Sequence, residues 1–174
     1  MDFDIVDMDA GAIDRHLEGL SRLLSDTVND GAAIGFMLPF SADAAVCFWT
    51  IDVRREVSAG RRVLLGALRN GEVIGAVQLI TALPPNQPHR CEIAKMMVLP
   101  TVRRRGVGRT LMMAALAQAR RLGKVIVTLD TRTGDVAQPL YAAVGFESAG
   151  EIPDYAWDPD GRARHSTTLM FCRL

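Results

Sequence analysis

The sequence predicts an α+β fold, and three features of the chain carry that prediction. Apolar residues recur at helical spacing near the N-terminus, two β-like runs flank Asn70 and Gly71, and the apolar run VIVTLD at 125–130 lies between two helical stretches. Helices therefore come first, an antiparallel meander follows, and a strand–helix–strand crossover ends the chain. A length of 174 residues is typical of one domain, so we expect residues 1–174 to form a single domain.

The N-terminal third is predicted to contain an edge strand and two helices. Residues 2–7 alternate between polar and apolar side chains, which is typical of a strand at the edge of a sheet. A helix should follow, and its apolar face consists of Ile13, Leu17, Leu20, Leu24 and Val28. A second helix is expected over 41–58, with Ser41 as its N-cap and Gly60 just beyond its end.

The remaining chain supplies most of the predicted sheet. Residues 61–80 should form a hairpin, because Asn-Gly readily adopts the positive φ angles of a tight turn. A strand over 91–99 ends at Pro100, and a helix over 106–122 ends at Gly123. The last expected elements are a strand over 125–130, a short helix over 136–144, a loop, and a final strand over 167–174.

Composition and charge exclude several classes of protein. With 49% apolar and 23% charged residues the chain is typical of a globular protein, and its formal net charge of zero gives no general attraction to nucleic acids or anionic membranes. Three dispersed cysteines fit neither a disulfide framework nor a zinc site. The acidic N-terminus lacks a signal-peptide core and no apolar run reaches about 18 residues, so we expect a cytoplasmic protein without metal or membrane contacts.

The stretch RRRGVGRT at 103–110 indicates an anion site, since the surrounding residues 93–129 include basic but no acidic side chains. A Walker A loop would need glycine where Arg103 stands and lysine where Arg109 stands. A dinucleotide fingerprint would need glycine in place of Leu111. The remaining pattern is Arg103-x-x-Gly106-x-Gly108 at a helix start, where glycines let backbone N–H groups converge on phosphate oxygens.

This pattern, preceded by MMVLP, resembles the acetyl-coenzyme A loop of the GNAT superfamily of N-acyltransferases. The segment YAAVGF resembles a second family motif, whose tyrosine, here Tyr141, lies beside the coenzyme sulfur and protonates the leaving thiolate. The resemblance implies a mixed, mostly antiparallel twisted sheet flanked by helices on both faces, acetyl-CoA as co-substrate, and the homodimers common in this family. The coenzyme-binding residues that it implies are Met97, Val98, Arg103, Arg104, Arg105, Gly106, Val107, Gly108, Arg109 and Thr110.

Four segments further resemble the tabtoxin resistance acetyltransferases, which inactivate a β-lactam dipeptide toxin. They are GAAIGFM at 31–37, residues 92–108, LDTRTGDVA at 129–137 and GEIPDYAWDPDGR at 150–162. This resemblance implies a small-molecule substrate with a free amine, and it implies that Glu92 and Asp130 act in catalysis with Tyr141. Transfer to an amine needs its neutral form, and a carboxylate can accept the proton. Which of the two carboxylates is the base stays open, because Glu92 also fits a solvent-facing strand position and Asp130 a turn.

The acceptor pocket is expected between the first two helices and the loop before the final strand. Its candidate aromatic walls are Phe36, Trp49, Tyr155 and Trp157, and Asp154 or Asp158 is a candidate contact to an amine. The three histidines, at 16, 89 and 165, are expected at the solvated surface.

Two other functions stay open. A non-catalytic module would bind phosphate or nucleic acid through the basic segment 103–124, although the zero net charge and the lack of aromatic residues in that segment argue against it. A protein N-acetyltransferase would share the coenzyme site but need an open acceptor groove.

Overall fold

The fold is taken from a computed structural model that describes residues 2–174. Its seven strands are β1 (Asp4–Asp7), β2 (Arg62–Arg69), β3 (Glu72–Ile80), β4 (Arg90–Val98), β5 (Ile126–Arg132), β6 (Glu147–Trp157) and β7 (Arg164–Arg173). Its α-helices are α1 (Ala10–Arg15), α2 (Leu17–Asn29), α3 (Ala42–Cys47), α4 (Arg54–Ser58), α5 (Val107–Arg121) and α6 (Ala137–Ala143). A π-helical segment, Phe48–Val53, joins α3 to α4, and a 3₁₀ turn, Pro100–Val102, follows β4.

All seven strands form one sheet in the order β1-β2-β3-β4-β5-β7-β6. Only β4 and β5 pair in parallel, and the other neighbours are antiparallel. Parallel neighbours need a crossover connection, which α5 supplies here. The predicted mixed, mostly antiparallel α+β fold is therefore confirmed.

Local sequence signals account for the ends of several elements. The Oγ of Ser41 accepts a hydrogen bond from the N–H of Ala44 at 3.1 Å, so Ser41 caps α3 as predicted. Asn70 and Gly71 have φ angles of 52° and 82°, and both lie in the tight turn that joins β2 to β3.

Helices cover both faces of the central strands. On one face α2 approaches β3 closely, since an added Cβ at Gly19 would lie 3.2 Å from Val73. On the other face α5 packs against β3, where a Cβ at Gly75 would lie 3.0 Å from Leu111. Apolar side chains are buried on both faces of the sheet, so the core has two layers with the sheet between them.

One predicted loop is a strand. The segment before the final strand forms β6, an edge strand of eleven residues in which nearly every side chain is exposed. Its sequence lacks the alternation that a half-buried strand would show, and its register against β7 shifts near Gly150 and again before Ala156. Residues 147–157 therefore form a strand because they hydrogen-bond to β7, and this pairing requires no alternating pattern in the sequence of β6 itself.

The helices within residues 2–174 are all too short or too polar to cross a membrane. The expected cytoplasmic location stays a prediction.

Candidate active site

The candidate site is a cavity of about 940 Å³ at the point where β4 and β5 separate. The two parallel strands pair only through residues 90–92 and 126–128. Beyond these residues the strands diverge, and residues 93–98 of β4 and 129–132 of β5 line the cavity. Backbone N–H and C=O groups along the diverging edges can therefore face a ligand instead of a neighbouring strand.

A bulge in β4 lies where the divergence begins. The register between β3 and β4 shifts between Ala76 and Gln78, and Lys95 on the bulged strand has a φ of +49°. A bulge bends its strand and increases the local twist. The second half of β4 is thereby turned away from β5, and the cavity opens between them.

The loop before α5 forms one end of the cavity. Arg104 and Gly106 have φ angles of 64° and 85°, so the chain turns sharply before α5 begins at Val107. The N-cap residue is Gly106, which has no side chain to satisfy the first N–H groups of the helix. These N–H groups and the positive end of the helix dipole are available to an anion.

Arg103 is fixed at the edge of this loop. Its Nη1 contacts the Asp30 carboxylate at 2.5 Å, and its Nε donates to the carbonyl of Val98 at 3.3 Å. The guanidinium thus ties the loop to the end of α2 and to the end of β4.

The predicted coenzyme-binding residues line the cavity, except for Arg105 and Thr110. Arg104 and Arg109 are exposed at its wall. Arg105 borders a separate cavity of about 200 Å³, and the Oγ1 of Thr110 donates to the carbonyl of Gly106 at 3.1 Å. The structure therefore does not place these two residues at the cavity wall, and their part in coenzyme binding stays a prediction.

The two sequence motifs meet in the structure. An added Cβ at Gly108 would lie 3.1 Å from Leu140, which is tighter than an ordinary contact, so the glycine lets the start of α5 approach α6. The next residue of α6 is Tyr141, which is buried, packs near Phe146 and lines the cavity. Burial, and then the negative charges of Asp135 and Asp130, raise the pKa of Tyr141 above its usual range. Its hydroxyl therefore stays protonated at neutral pH.

Asp130 and Glu92 occupy different surroundings. Asp130 lines the cavity, and its Oδ2 accepts a hydrogen bond from Thr167 Oγ1 at 3.3 Å. Glu92 lies outside the cavity, opposite Thr128 on the paired part of β5, and its Oε2 is 3.6 Å from Arg90 Nη1. The structure thus brings Asp130 and Tyr141 to one cavity but does not bring Glu92 there, and the catalytic role of Glu92 stays a prediction.

Three of the four predicted aromatic walls line the cavity: Phe36, Tyr155 and Trp157. Trp49 does not, so that prediction is wrong. Its side chain is completely buried in the core, and its Nε1 donates to the carbonyl of Leu20 at 2.9 Å. The π-helical segment Phe48–Val53 turns Trp49 toward α2 and into the core, so this side chain has no contact with the cavity.

A polar cluster joins β5, β7 and the turn before β7, and the sequence reasoning named only its Asp158 as a site residue. His165 lines the cavity instead of lying at the solvated surface, and its Nδ1 is 3.0 Å from Asp158 Oδ1. Arg132 contacts the other Asp158 oxygen at 3.1 Å. Alternation along β7 would have placed His165 on the same face as Thr167, but the final strand was expected to begin only at Thr167.

Lys95 was also missed. It lines the cavity, and its Nζ lies 5.4 Å from the centroid of the Phe36 ring. Burial lowers the pKa of Lys95, and the negative charge of Asp130 partly opposes that shift. In sequence a lysine in the middle of a strand carries no sign of this placement, because the bulge that turns it inward is not encoded by a recognisable motif.

The acetyltransferase (GNAT) family model matches residues 36–146 of this chain. A UPF0039 protein of Schizosaccharomyces pombe is 30% identical over 96 residues, which cover 55% of this chain and 60% of that protein. An uncharacterised N-acetyltransferase encoded in the hisH–hisA intergenic region of Azospirillum brasilense is 26% identical over 145 residues, covering 81% of this chain and 84% of that one.

Solved structures share the fold. A GCN5-related N-acetyltransferase from Kribbella flavida has a TM-score of 0.81 at 20% identity, covering 99% of this chain and 98% of that one. A protein from Salmonella typhimurium, solved with its cofactor acetyl-CoA, has a TM-score of 0.80 at 19% identity, covering 100% and 95%. The family match spans the diverging strands, the glycine loop and Tyr141, so the chain belongs to the GNAT family of acetyltransferases.

Proposed function

We propose that this protein is an acetyl-CoA-dependent N-acetyltransferase that acts on the free amine of a small molecule. The observation that carries the proposal is the continuity of the cavity, which joins the open N-terminus of α5 to Tyr141 and Asp130. One end of the cavity suits phosphate groups, and the other end holds groups that can exchange protons. A coenzyme with a pyrophosphate and a reactive thioester would span both ends. The similar protein from Salmonella typhimurium, solved with acetyl-CoA, supports this choice of co-substrate.

The residues at the α5 end fit a pyrophosphate group. An added Cβ at Gly106 would meet nothing within 4 Å, so the loop leaves open space in front of the helix. Exposed Arg104 and Arg109 would add positive charge beside the backbone N–H groups. The diverging edge of β4 at Met97 and Val98 would bind the pantetheine arm through its backbone.

At the other end the chain supplies a proton acceptor and a proton donor. Acetyl-CoA, when bound, supplies an activated acetyl thioester. Asp130 would take one proton from the acceptor ammonium, directly or through water, and the neutral nitrogen would then form the new amide bond while the bond between the acetyl carbon and the coenzyme sulfur breaks. Tyr141 would donate its proton to the departing sulfur, and the second proton that the nitrogen loses as the amide forms would restore the tyrosine hydroxyl. Asp130 suits the basic role better than Glu92, because only Asp130 lines the cavity.

The acceptor is proposed to be a small amine, and a β-lactam dipeptide toxin is a narrower candidate. Aromatic side chains at Phe36, Tyr155 and Trp157 line the same cavity and would enclose such a molecule. The resemblance of residues 31–37 and 150–162 to tabtoxin resistance acetyltransferases motivates the narrower candidate. Its test is acetylation of that toxin in preference to simple amines.

The coenzyme site is tested by calorimetry with acetyl-CoA, comparing Gly106→Trp with Gly123→Trp. Both glycines have positive φ angles, of 85° and 69°, both have open space around them, and they flank opposite ends of α5. The backbone strain is therefore matched, and only Gly106 lines the cavity. We expect Gly106→Trp to abolish binding and Gly123→Trp to retain it; equal binding by both variants would refute the proposed site.

A further inference from the structure

Lys95 places an unneutralised positive charge at the cavity wall. Within residues 2–174, no acidic oxygen lies within 4.0 Å of its Nζ. A partly buried ammonium group without an acidic partner is unfavourable, because the low-dielectric surroundings replace water poorly. The ring of Phe36, 5.4 Å away, offsets only part of that cost.

The neighbours of Lys95 place its charge on the acceptor side of the cavity. Phe36 belongs to the loop between α2 and α3, and so does Gly35, where an added Cβ would lie 3.1 Å from the Lys95 Nζ. The proposed pyrophosphate site lies instead at the start of α5. The ammonium group is thus next to the segment that would enclose the acceptor.

The backbone at Lys95 is held in a conformation that lysine rarely adopts. Its φ of +49° lies in the left-handed region, where glycine and asparagine are preferred. Such strain persists only where the surrounding structure enforces it, and it is concentrated at functional sites. Here the bulge in β4 imposes the strain and turns a cationic side chain into the cavity.

Asp130 supplies the opposite charge in the same cavity. Its Oδ2 is bonded to Thr167 and forms no ion pair with Lys95, although its charge influences the lysine. Two opposite charges therefore face one space and stay more than 4.0 Å apart. A ligand that carries both an ammonium and an anionic group would complement both.

We propose that Lys95 binds a carboxylate of the acceptor while the acceptor amine faces Asp130, so that the substrate is a small amino-acid-like zwitterion. This inference rests on the proposed function, since it names the class of acceptor at the same site. Lys95 is then a specificity-determining residue that orients the amine toward the acetyl group and takes no part in proton transfer.

The test compares free L-amino acids and dipeptides with their C-terminal amides, using release of the coenzyme thiol from acetyl-CoA. The amides keep the reacting amine and lose the carboxylate. We expect kcat/KM to favour the carboxylates, and Lys95→Met to lower that preference about 10- to 100-fold, the range for a hydrogen bond to a charged group. The readout is therefore the ratio of kcat/KM between each carboxylate and its amide, measured for both proteins.

Three further variants separate charge from folding. Lys95→Arg should keep part of the preference, and Lys95→Gly should lose it although glycine suits the positive φ. Lys124→Met changes the other lysine of the chain, which binds the Pro88 carbonyl outside the cavity, and should keep the preference.

The outcomes distinguish this inference from the proposed function. Failure to bind acetyl-CoA would refute the function itself. Suppose instead that the protein binds acetyl-CoA. The inference about Lys95 alone would then be overturned if only amides are acetylated, if both acceptor forms react at equal rates, or if no zwitterion in the panel is acetylated. A preference that survives in Lys95→Met would also overturn it.

Discussion

At the scale of single residues, burial decides what each polar group can do. Tyr141 and Asp130 line one cavity, yet Tyr141 is buried and Asp130 is exposed to the space in front of it. Desolvation favours the neutral tyrosine, so this hydroxyl keeps its proton at neutral pH and is able to donate it. The two tryptophans differ in the same way, because Trp49 is buried in the core and only Trp157 lines the cavity.

Replacing Tyr141 with phenylalanine should remove the proton donor and leave the cavity shape nearly unchanged. We expect kcat for thiol release to fall about 10²- to 10⁴-fold, the usual contribution of general acid catalysis. Affinity for acetyl-CoA, measured by calorimetry, should stay the same. A parallel loss of coenzyme binding would show that the hydroxyl has a structural role.

The pH dependence provides a second readout of Tyr141. The acid works only when protonated, and its raised pKa keeps it protonated at pH values where an ordinary tyrosine would ionise. The wild-type kcat/KM profile should therefore not fall through loss of this proton below about pH 10, the usual tyrosine value. An alkaline limb near pH 8 that disappears in Tyr141→Phe would contradict this assignment.

At the scale of elements, the bulge in β4 and the close packing of α5 on β3 create the site. Gly75 lies where these two features meet: an added Cβ would lie 2.9 Å from the carbonyl of Met97 and 3.0 Å from Leu111. The first of these atoms is backbone on β4 and cannot move without shifting the strand. Gly75 therefore packs directly against the diverging part of β4, and only a hydrogen atom fits at its side-chain position.

Gly75→Ala should lower the free energy of unfolding by about 1 to 3 kcal/mol, as overpacking of a core usually does. Urea denaturation measures this change. Gly11→Ala is the matched control: its added Cβ would make only ordinary contacts at 3.4 Å and 3.5 Å in α1, and alanine favours helix over glycine by up to about 1 kcal/mol. Equal stability of Gly75→Ala and the wild type would show that α5 can shift to accommodate a methyl group.

At the scale of the whole molecule, the seven-stranded sheet is divided by its one parallel pair. β1 to β4 form one part and β5, β7 and β6 form the other, and the cavity lies where the two parts separate. A ligand in this cavity would contact both parts and add to the short ladder that pairs β4 with β5. Binding should therefore stabilise the entire fold.

Acetyl-CoA at 100 times its dissociation constant should add about 2.7 kcal/mol to the stability of the folded protein. For a chain of this size that corresponds to a rise in Tm of about 5 to 10 °C, measurable by differential scanning fluorimetry. Gly106→Trp should show no rise, whereas Gly123→Trp should rise like the wild type. An unchanged Tm for the wild type at saturating acetyl-CoA would contradict binding to the folded state.

The sequence by itself determined the elements with strong local signals and the motifs that act through the backbone. The Asn70-Gly71 turn, the Ser41 cap and the glycine loop before α5 are set by local conformational preferences, so they were predictable from a few adjacent residues. Tyr141 was found because its segment has a family pattern.

Tertiary structure alone decided which side chains share the cavity. Lys95 enters it through a bulge, His165 through the pairing of β7, and Trp49 is withdrawn from it by packing against α2. Glu92 and Asp130 looked equivalent in sequence, but the end of the β4–β5 ladder separates them. These placements depend on strand register and on contacts between residues far apart in the chain, which local sequence patterns do not encode.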